Sequence, residues 1–162
     1  MQKFQTLLVF AEGDTHCALP AGDVREVVFL PELSHPPGMP AILEGMMSLE
    51  GQSLPVLRAA RLLGLAAQAS GIYTPAIVLK EGRAVLAVER LEGMLKVTPD
   101  EILPAPKGHS FNDCLSGLAR TKDRDVHLLS SSQLLLKEEL LRIEEFQIRA
   151  NERLAQSGSQ DR

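Results

Sequence analysis

The residues able to do chemistry are few, and their spacing is unhelpful to it. His16, His35, His109 and His127 are scattered along the chain. No two of them stand at the i, i+4 spacing that puts two imidazoles on one helix face, and there is no Cys-x-x-Cys. A zinc site or a Cys–His nucleophile therefore has no local support. Ser116 stands in Leu115-Ser116-Gly117, without the glycine-x-serine-x-glycine elbow or its strand-to-helix context. Gly82 and Gly93 stand alone and form no phosphate loop. The acidic pairs Glu138-Glu139 and Glu144-Glu145 fall in a charged helical segment, where a solvated face is the default reading. Neither a catalytic residue nor a cofactor or metal site is indicated, and the expectation is a non-enzymatic binding module.

The totals agree with that reading. A chain of 162 residues suits one domain, or two small lobes sharing a core. Aromatic residues make up only 4%, so Leu, Val, Ile, Ala and Met must build the interior. One Tyr and no Trp leave little with which to stack nucleic-acid bases. A net charge of −4 argues against nucleic acid or an anionic membrane as partner. Cys17 and Cys114 are far apart and unpatterned, which fits two free, buried thiols in a reducing compartment better than a disulfide. The run Thr6 to Ala11 is too short for a signal sequence, and no apolar run reaches membrane-spanning length. The expected location is cytoplasmic, with no membrane insertion.

The elements that would position any site are mostly strands. Phe4–Ala11 and His16–Leu19 form a hairpin, and Val24–Leu30 follows as a strand. Four prolines between residues 31 and 40 make a surface loop. Leu43 to Leu57 is the clearest strand–turn–strand, with its turn read at Gly51-Gln52-Ser53. Pro55 cannot donate to a ladder, so the second strand is expected at an edge or end near there. A short helix from Arg58 should stop at Gly64. Strands return over Thr74–Leu79, Ala84–Val88 and Glu89–Val97, then Leu115–Ala119 and Val126–Leu129. Leu103–Gly108 reads as a loop. About ten short strands at regular spacing point to barrels or sandwiches, and a faint echo between the two halves suggests two similar small barrels.

The last segment changes character. Ser130-Ser131-Ser132-Gln133 has the form of a capping box, and no Gly or Pro follows until about Gln156. Leu136, Leu140, Ile143, Gln147, Ala150 and Leu154 share one helix face, and Glu145 can pair with Arg149 on the other. A helix packed on its own domain over residues 130–156 fits better than a coiled coil, with residues 157–162 as a frayed tail.

Beyond composition, a series of short motifs resembles a known family. These are Val24-Arg25-Glu26-Val27; Leu33-Ser34 before Pro36-Pro37-Gly38-Met39-Pro40; Gly45-Met46-Met47-Ser48-Leu49-Glu50-Gly51; Pro55-Val56-Leu57; and Val88-Glu89-Arg90-Leu91-Glu92-Gly93-Met94-Leu95 with Ile102-Leu103-Pro104-Ala105-Pro106. Their order and gaps, over roughly Phe4 to Leu136, resemble the CheW family of bacterial chemotaxis coupling proteins. The resemblance implies a mostly β domain over residues 1–136, with two five-stranded Src-homology-3-like barrels around a shared core, to which the long C-terminal helix read above is added. It implies an adaptor linking the cytoplasmic tip of a chemoreceptor to the regulatory domain of a CheA-type histidine kinase. On this resemblance Val24, Glu26 and Val27 match a contact strand, Leu49, Glu50 and Gly51 a hairpin tip, and Val85 and Val88 the strands lining a groove. Val24, Val27 and Val88 can equally be core residues, and Glu26 a solvated one.

Two departures stand out. The family's hairpin reads Asn-Leu-Arg-Gly, where this chain has Ser48-Leu49-Glu50-Gly51, and the family's Asp after Pro-Val-x is here Arg58. Either Glu50 and Arg58 form a swapped ion pair, or the partner differs. The second alternative would make the chain a divergent adaptor, serving a non-flagellar chemosensory pathway or no CheA-type kinase at all. A separate reading has the same fold with a different partner, or a weak homo-oligomer through the last helix.

Overall fold

In a computed structural model the residues described are 3–66, 71–80, 84–105, 115–134 and 137–160. Among them are eleven strands in two sheets. The first sheet contains β1 (Gln5–Glu12), β2 (Thr15–Pro20), β8 (Arg90–Val97), β9 (Ile102–Pro104), β10 (Leu115–Arg120) and β11 (Asp125–Leu129), in the order β8-β1-β2-β11-β10-β9. The second contains β3 (Val24–Phe29), β4 (Gly45–Leu49), β5 (Gln52–Arg58), β6 (Pro75–Leu79) and β7 (Val85–Ala87), in the order β3-β6-β7-β5-β4. Among the described residues two α-helices accompany the sheets, α1 (Ala59–Leu62) and α2 (Lys137–Gln160).

Each sheet has its own small core, and a third core lies between them. Leu7, Val9, Ala18, Val97, Ala119, Val126 and Leu128 fill the first lobe. Met47, Leu54, Val56, Ala76, Val78, Val85 and Ala87 fill the second. The opposite faces of the same strands supply the shared core: Phe10, Cys17 and Leu19 from one sheet, Leu57, Ile77 and Leu86 from the other. This is the period of two put to use on both faces. It explains why the central strands read as nearly continuous apolar runs.

Mostly β architecture, two lobes around a shared core and a long terminal helix all follow the expectation. Details differ for physical reasons. Leu103 and Pro104, the start of the expected loop Leu103–Gly108, belong instead to a strand, Ile102–Pro104: Leu103 pairs with Leu118 across β10, giving the first lobe six strands. The hairpin turns one residue earlier than expected. Leu49 pairs with Gln52, and Glu50 and Gly51 take φ of 51° and 80°. Positive φ at both central residues is the primed geometry that matches strand twist. β5 is not an edge strand. Pro55 is tolerated because the ladder to β7 begins only at Val56. The free edge of β4 is instead met by Ser34 from the proline-rich loop, whose N–H donates to Met46 O at 2.8 Å while the Met46 N–H donates back to Ser34 O at 2.9 Å. That loop is thus built into the second lobe.

α1 ends as expected at Gly64, with φ of 69°. The Leu65 N–H reaches Ala60 O and the Gly64 N–H reaches Arg61 O, the paired bonds of a Schellman cap. Ser130 does not cap α2. It precedes a short 3-10 turn over Ser131–Gln133, and its hydroxyl lies 3.0 Å from that of Ser132. α2 continues to Gln160, past the expected end. The Glu81–Arg83 part of the expected turn, the loop carrying His109, Cys114 and Leu136 lie outside the described residues.

Candidate functional site

β3 is the exposed edge of the second sheet, and its sequence sets what it offers. A bulge leaves Arg25 without a partner on β6, between the pairs Val24–Leu79 and Glu26–Val78. The extra residue re-aims the strand. Val24 packs half-buried against the shared core. Val27 is 39% exposed and Phe29 66% exposed. The Phe29 ring meets Tyr73 edge-on, with centroids 5.9 Å apart. β8 does the same for the first sheet. Leu8 packs half-buried on the shared core from β1, and Met94, opposite Leu8 in register, is 63% exposed. Leu91, opposite Phe10, is 38% exposed. Leu8 and Val24 are therefore rim residues of one core, continued outward by Met94 and Leu91 from one lobe and Val27 from the other. Patches of exposed apolar side chains are a common feature of protein contact surfaces.

The charges around this rim are organised. Arg25 Nη2 lies 2.8 Å from Glu50 Oε2, and Arg25 Nε lies 3.9 Å from Glu26 Oε1. The hairpin tip is thereby tied to the opposite edge of its own sheet. Arg58 is 8% exposed and lies 3.8 Å from Glu44 Oε1, which also receives Arg61 on its other oxygen at 3.2 Å. Glu50 and Arg58 thus do not pair with each other. They sit near opposite ends of β5, and each carboxylate and guanidinium finds its counter-charge elsewhere.

Where the chain crosses from β7 into the first sheet, acidic groups hold the passage. Glu12 Oε1 accepts the Glu89 N–H at 2.9 Å, Glu89 Oε2 accepts the Gly13 N–H at 2.7 Å, and Arg90 donates to Gly13 O at 2.8 Å. Burial raises the Glu12 carboxyl above its usual range, against the lowering effect of the Glu89 N–H. Glu92 goes the other way: desolvation opposes ionisation, but the Arg124 hydrogen bond at 2.8 Å and the neighbouring His16 hold its carboxyl low.

Of the residues expected to meet partners, Val24, Glu26, Val27, Glu50 and Gly51 lie along β3 and the hairpin tip that faces it. Leu49 is half-buried against the second lobe's core. Val85 and Val88 line no groove. Val85 is 0% exposed, because β7 is the middle strand of its sheet and both its faces are covered, and Val88, one residue past β7, is 2% exposed within the shared core. Arg58 is likewise inside. Sequence reading missed Phe29, Met94 and Arg25, although Val27 and Phe29 stand two apart along β3, the spacing that marks a common face.

α2 lies against β5. Ile143, Phe146 and Ala150 are buried in the shared core, and Asn151 Oδ1 accepts the Ser53 N–H at 2.7 Å. Burying a side chain such as Phe146 contributes about 1.5–3 kcal/mol. The expected face omitted Phe146 and included Leu154, which is 39% exposed. The expected Glu145–Arg149 ion pair is not formed; both side chains line a concavity beside the helix.

Among the described residues no cluster of His, Cys, Asp or Glu could hold a metal ion, and no helix is long and apolar enough to cross a membrane. A family model described as CheW-like domain matches residues 6–139. The crystal structure of the scaffolding protein TtCheW from Thermoanaerobacter tengcongensis is similar in fold, with a TM-score of 0.70 at 22% identity, covering 80% of this chain and 90% of that one. No curated protein matches.

Proposed function

Because the chain belongs to the CheW-like family, we propose that it is a non-enzymatic scaffold of a chemosensory assembly, joining the cytoplasmic tip of a chemoreceptor to the regulatory domain of a CheA-type histidine kinase. The observation that carries this reading is the apolar rim of the shared core: Leu8, Leu91 and Met94 on one lobe, Val24 and Val27 on the other. A helical hairpin laid there would bury its apolar face while the two lobes stay fixed, in the helix-in-groove manner. The kinase domain would meet the edge formed by β3 and the hairpin tip, where Glu26, Glu50 and Gly51 set charge and shape and Phe29 stands exposed further along β3. Glu50, held by Arg25 at the position where the family carries Arg, would favour a partner with a basic counterpart.

The test is a binding titration of the intact chain with a receptor cytoplasmic hairpin and, separately, a kinase regulatory domain. Association with both is expected. Val27→Asp should weaken the first, and Glu50→Arg the second. No association with either at about 50 μM, a Kd weaker than roughly −6 kcal/mol of binding, would refute the reading.

A second reading is self-association through α2, which exposes Leu141 and Ile148, seven residues apart on its outer side. Sedimentation of the free chain decides it. A dimer abolished by Leu141→Lys with Ile148→Lys would favour this alternative.

A further inference from the structure

The flank of α2 facing the proline-rich loop carries a trough that the scaffold reading leaves unused. Toward the start of the helix it is a concavity of about 370 Å³ lined by Gly38, Pro40, Arg142, Glu145, Phe146 and Arg149. A second, separate concavity of about 190 Å³ lies further along the same helix and loop, between Pro36 and Met47 on one side and Ala150, Arg153 and Leu154 on the other. Phe146 in the first and Met47 and Ala150 in the second give apolar surface, and three guanidinium groups line the two concavities. None of Arg142, Arg149 and Arg153 has an ion pair among the described residues. Glu145 stands among them without pairing to Arg149. An arginine cluster of this kind is out of character in a chain of net charge −4.

We propose that this trough binds an extended acidic peptide segment of a partner protein, its carboxylates on the arginines and an apolar side chain between them against Phe146. Charge complementarity names the occupant: planar guanidinium forks match carboxylates two donors at a time. Spacing refines it. Seven helical residues separate Arg142 from Arg149, about 10 Å at about 1.5 Å per residue, and four separate Arg149 from Arg153, about 6 Å. An extended chain rising about 3.1 Å per residue covers those distances in three residues and two. The fitting segment therefore carries acidic residues at its first, fourth and sixth positions. Glu145 argues against a uniformly anionic polymer such as nucleic acid, because a peptide can place a neutral residue opposite it and a phosphate chain cannot.

The proposal is independent of the scaffold reading and is tested without chemosensory partners. A fluorescein-labelled hexapeptide with Glu at positions one, four and six and Leu, Pro and Leu at the others is titrated with the full chain by fluorescence anisotropy. Saturable binding is expected, weakened about tenfold or more by Arg142→Gln with Arg149→Gln, tightened by Glu145→Gln, and absent when the peptide's Glu are replaced by Gln. All three side chains are exposed, so unchanged circular dichroism and thermal midpoint should confirm folding. Equal affinity for the Gln peptide, indifference to the double arginine variant, or tighter binding of an RNA hexanucleotide or of phosphatidylserine vesicles would overturn it.

Discussion

Asn151 gives the sharpest test of how the terminal helix is held. In a two-residue hairpin the strand residues alternate between bonding their partner and pointing away. Leu49 and Gln52 close the turn, so Ser53 directs its N–H away from β4. β7 cannot receive it, because the β5–β7 ladder starts only at Val56. Asn151 fills the vacancy from α2, its Oδ1 2.7 Å from the Ser53 nitrogen. Asn151→Ala leaves a half-buried N–H unsatisfied, a cost of about 1–3 kcal/mol. Because the site is only partly buried, water can take some of the load, and the lower half of that range is expected. At about 2–4 °C per kcal/mol for a domain of this size, the thermal midpoint should fall by about 2–8 °C. Asn151→Asp keeps the acceptor and should be close to wild type near pH 7. Its carboxylate, accepting a backbone N–H, would have a pKa below its unfolded value, so the stability it contributes is present above the ordinary carboxylate range and is lost as pH falls through the folded pKa. Urea denaturation read by circular dichroism supplies the free energies, and hydrogen exchange at the Ser53 amide reports the bond itself. The reasoning is refuted if Ala costs under about 0.3 kcal/mol with Ser53 protection unchanged, or if Asp is as damaging as Ala.

Other outcomes follow from the same geometry. A Cβ on Gly45 would lie 2.8 Å from Leu33 Cβ and 3.1 Å from Ser34 O, so Gly45→Ala should destabilise by about 1–3 kcal/mol in equilibrium unfolding, and loosen the Ser34–Met46 bridge. Glu12 has its folded pKa raised above 4.5, so its contribution favours the fold at low pH and declines as pH rises through that value. Glu12→Gln, which keeps the acceptor for Glu89, should therefore gain on wild type as pH rises from 4.5 through the folded pKa, in pH-resolved melting. Glu92 has its pKa lowered from 4.5, so its contribution is present above that value and lost as pH falls below it. Glu92→Gln should cost stability near pH 7, and the difference should shrink in acid.

Much of this protein was legible in its residues alone. Alternating apolar positions gave the strands, turn residues gave most of their ends, and Gly64 stopped α1 where a left-handed residue was needed. These are local properties, decided within a few residues by backbone sterics and by the period of two. The family resemblance was equally local, a series of short motifs in order. Tertiary structure decided what local pattern cannot express. β9 is a strand only because β10 offers it an edge, and Pro55 is tolerated inside the sheet only because β7 begins one residue further on. Valines of the same type were sorted by neighbours: Val85 became core because β7 is central and Val88, one residue past it, because the shared core covers it, while Val27 became surface because β3 is an edge. Charge followed the same rule. Nothing between Glu50 and Arg58 in sequence says that one will meet Arg25 and the other Glu44; the curl of the sheet brings those groups together, and an ion pair is a matter of a few ångströms in space.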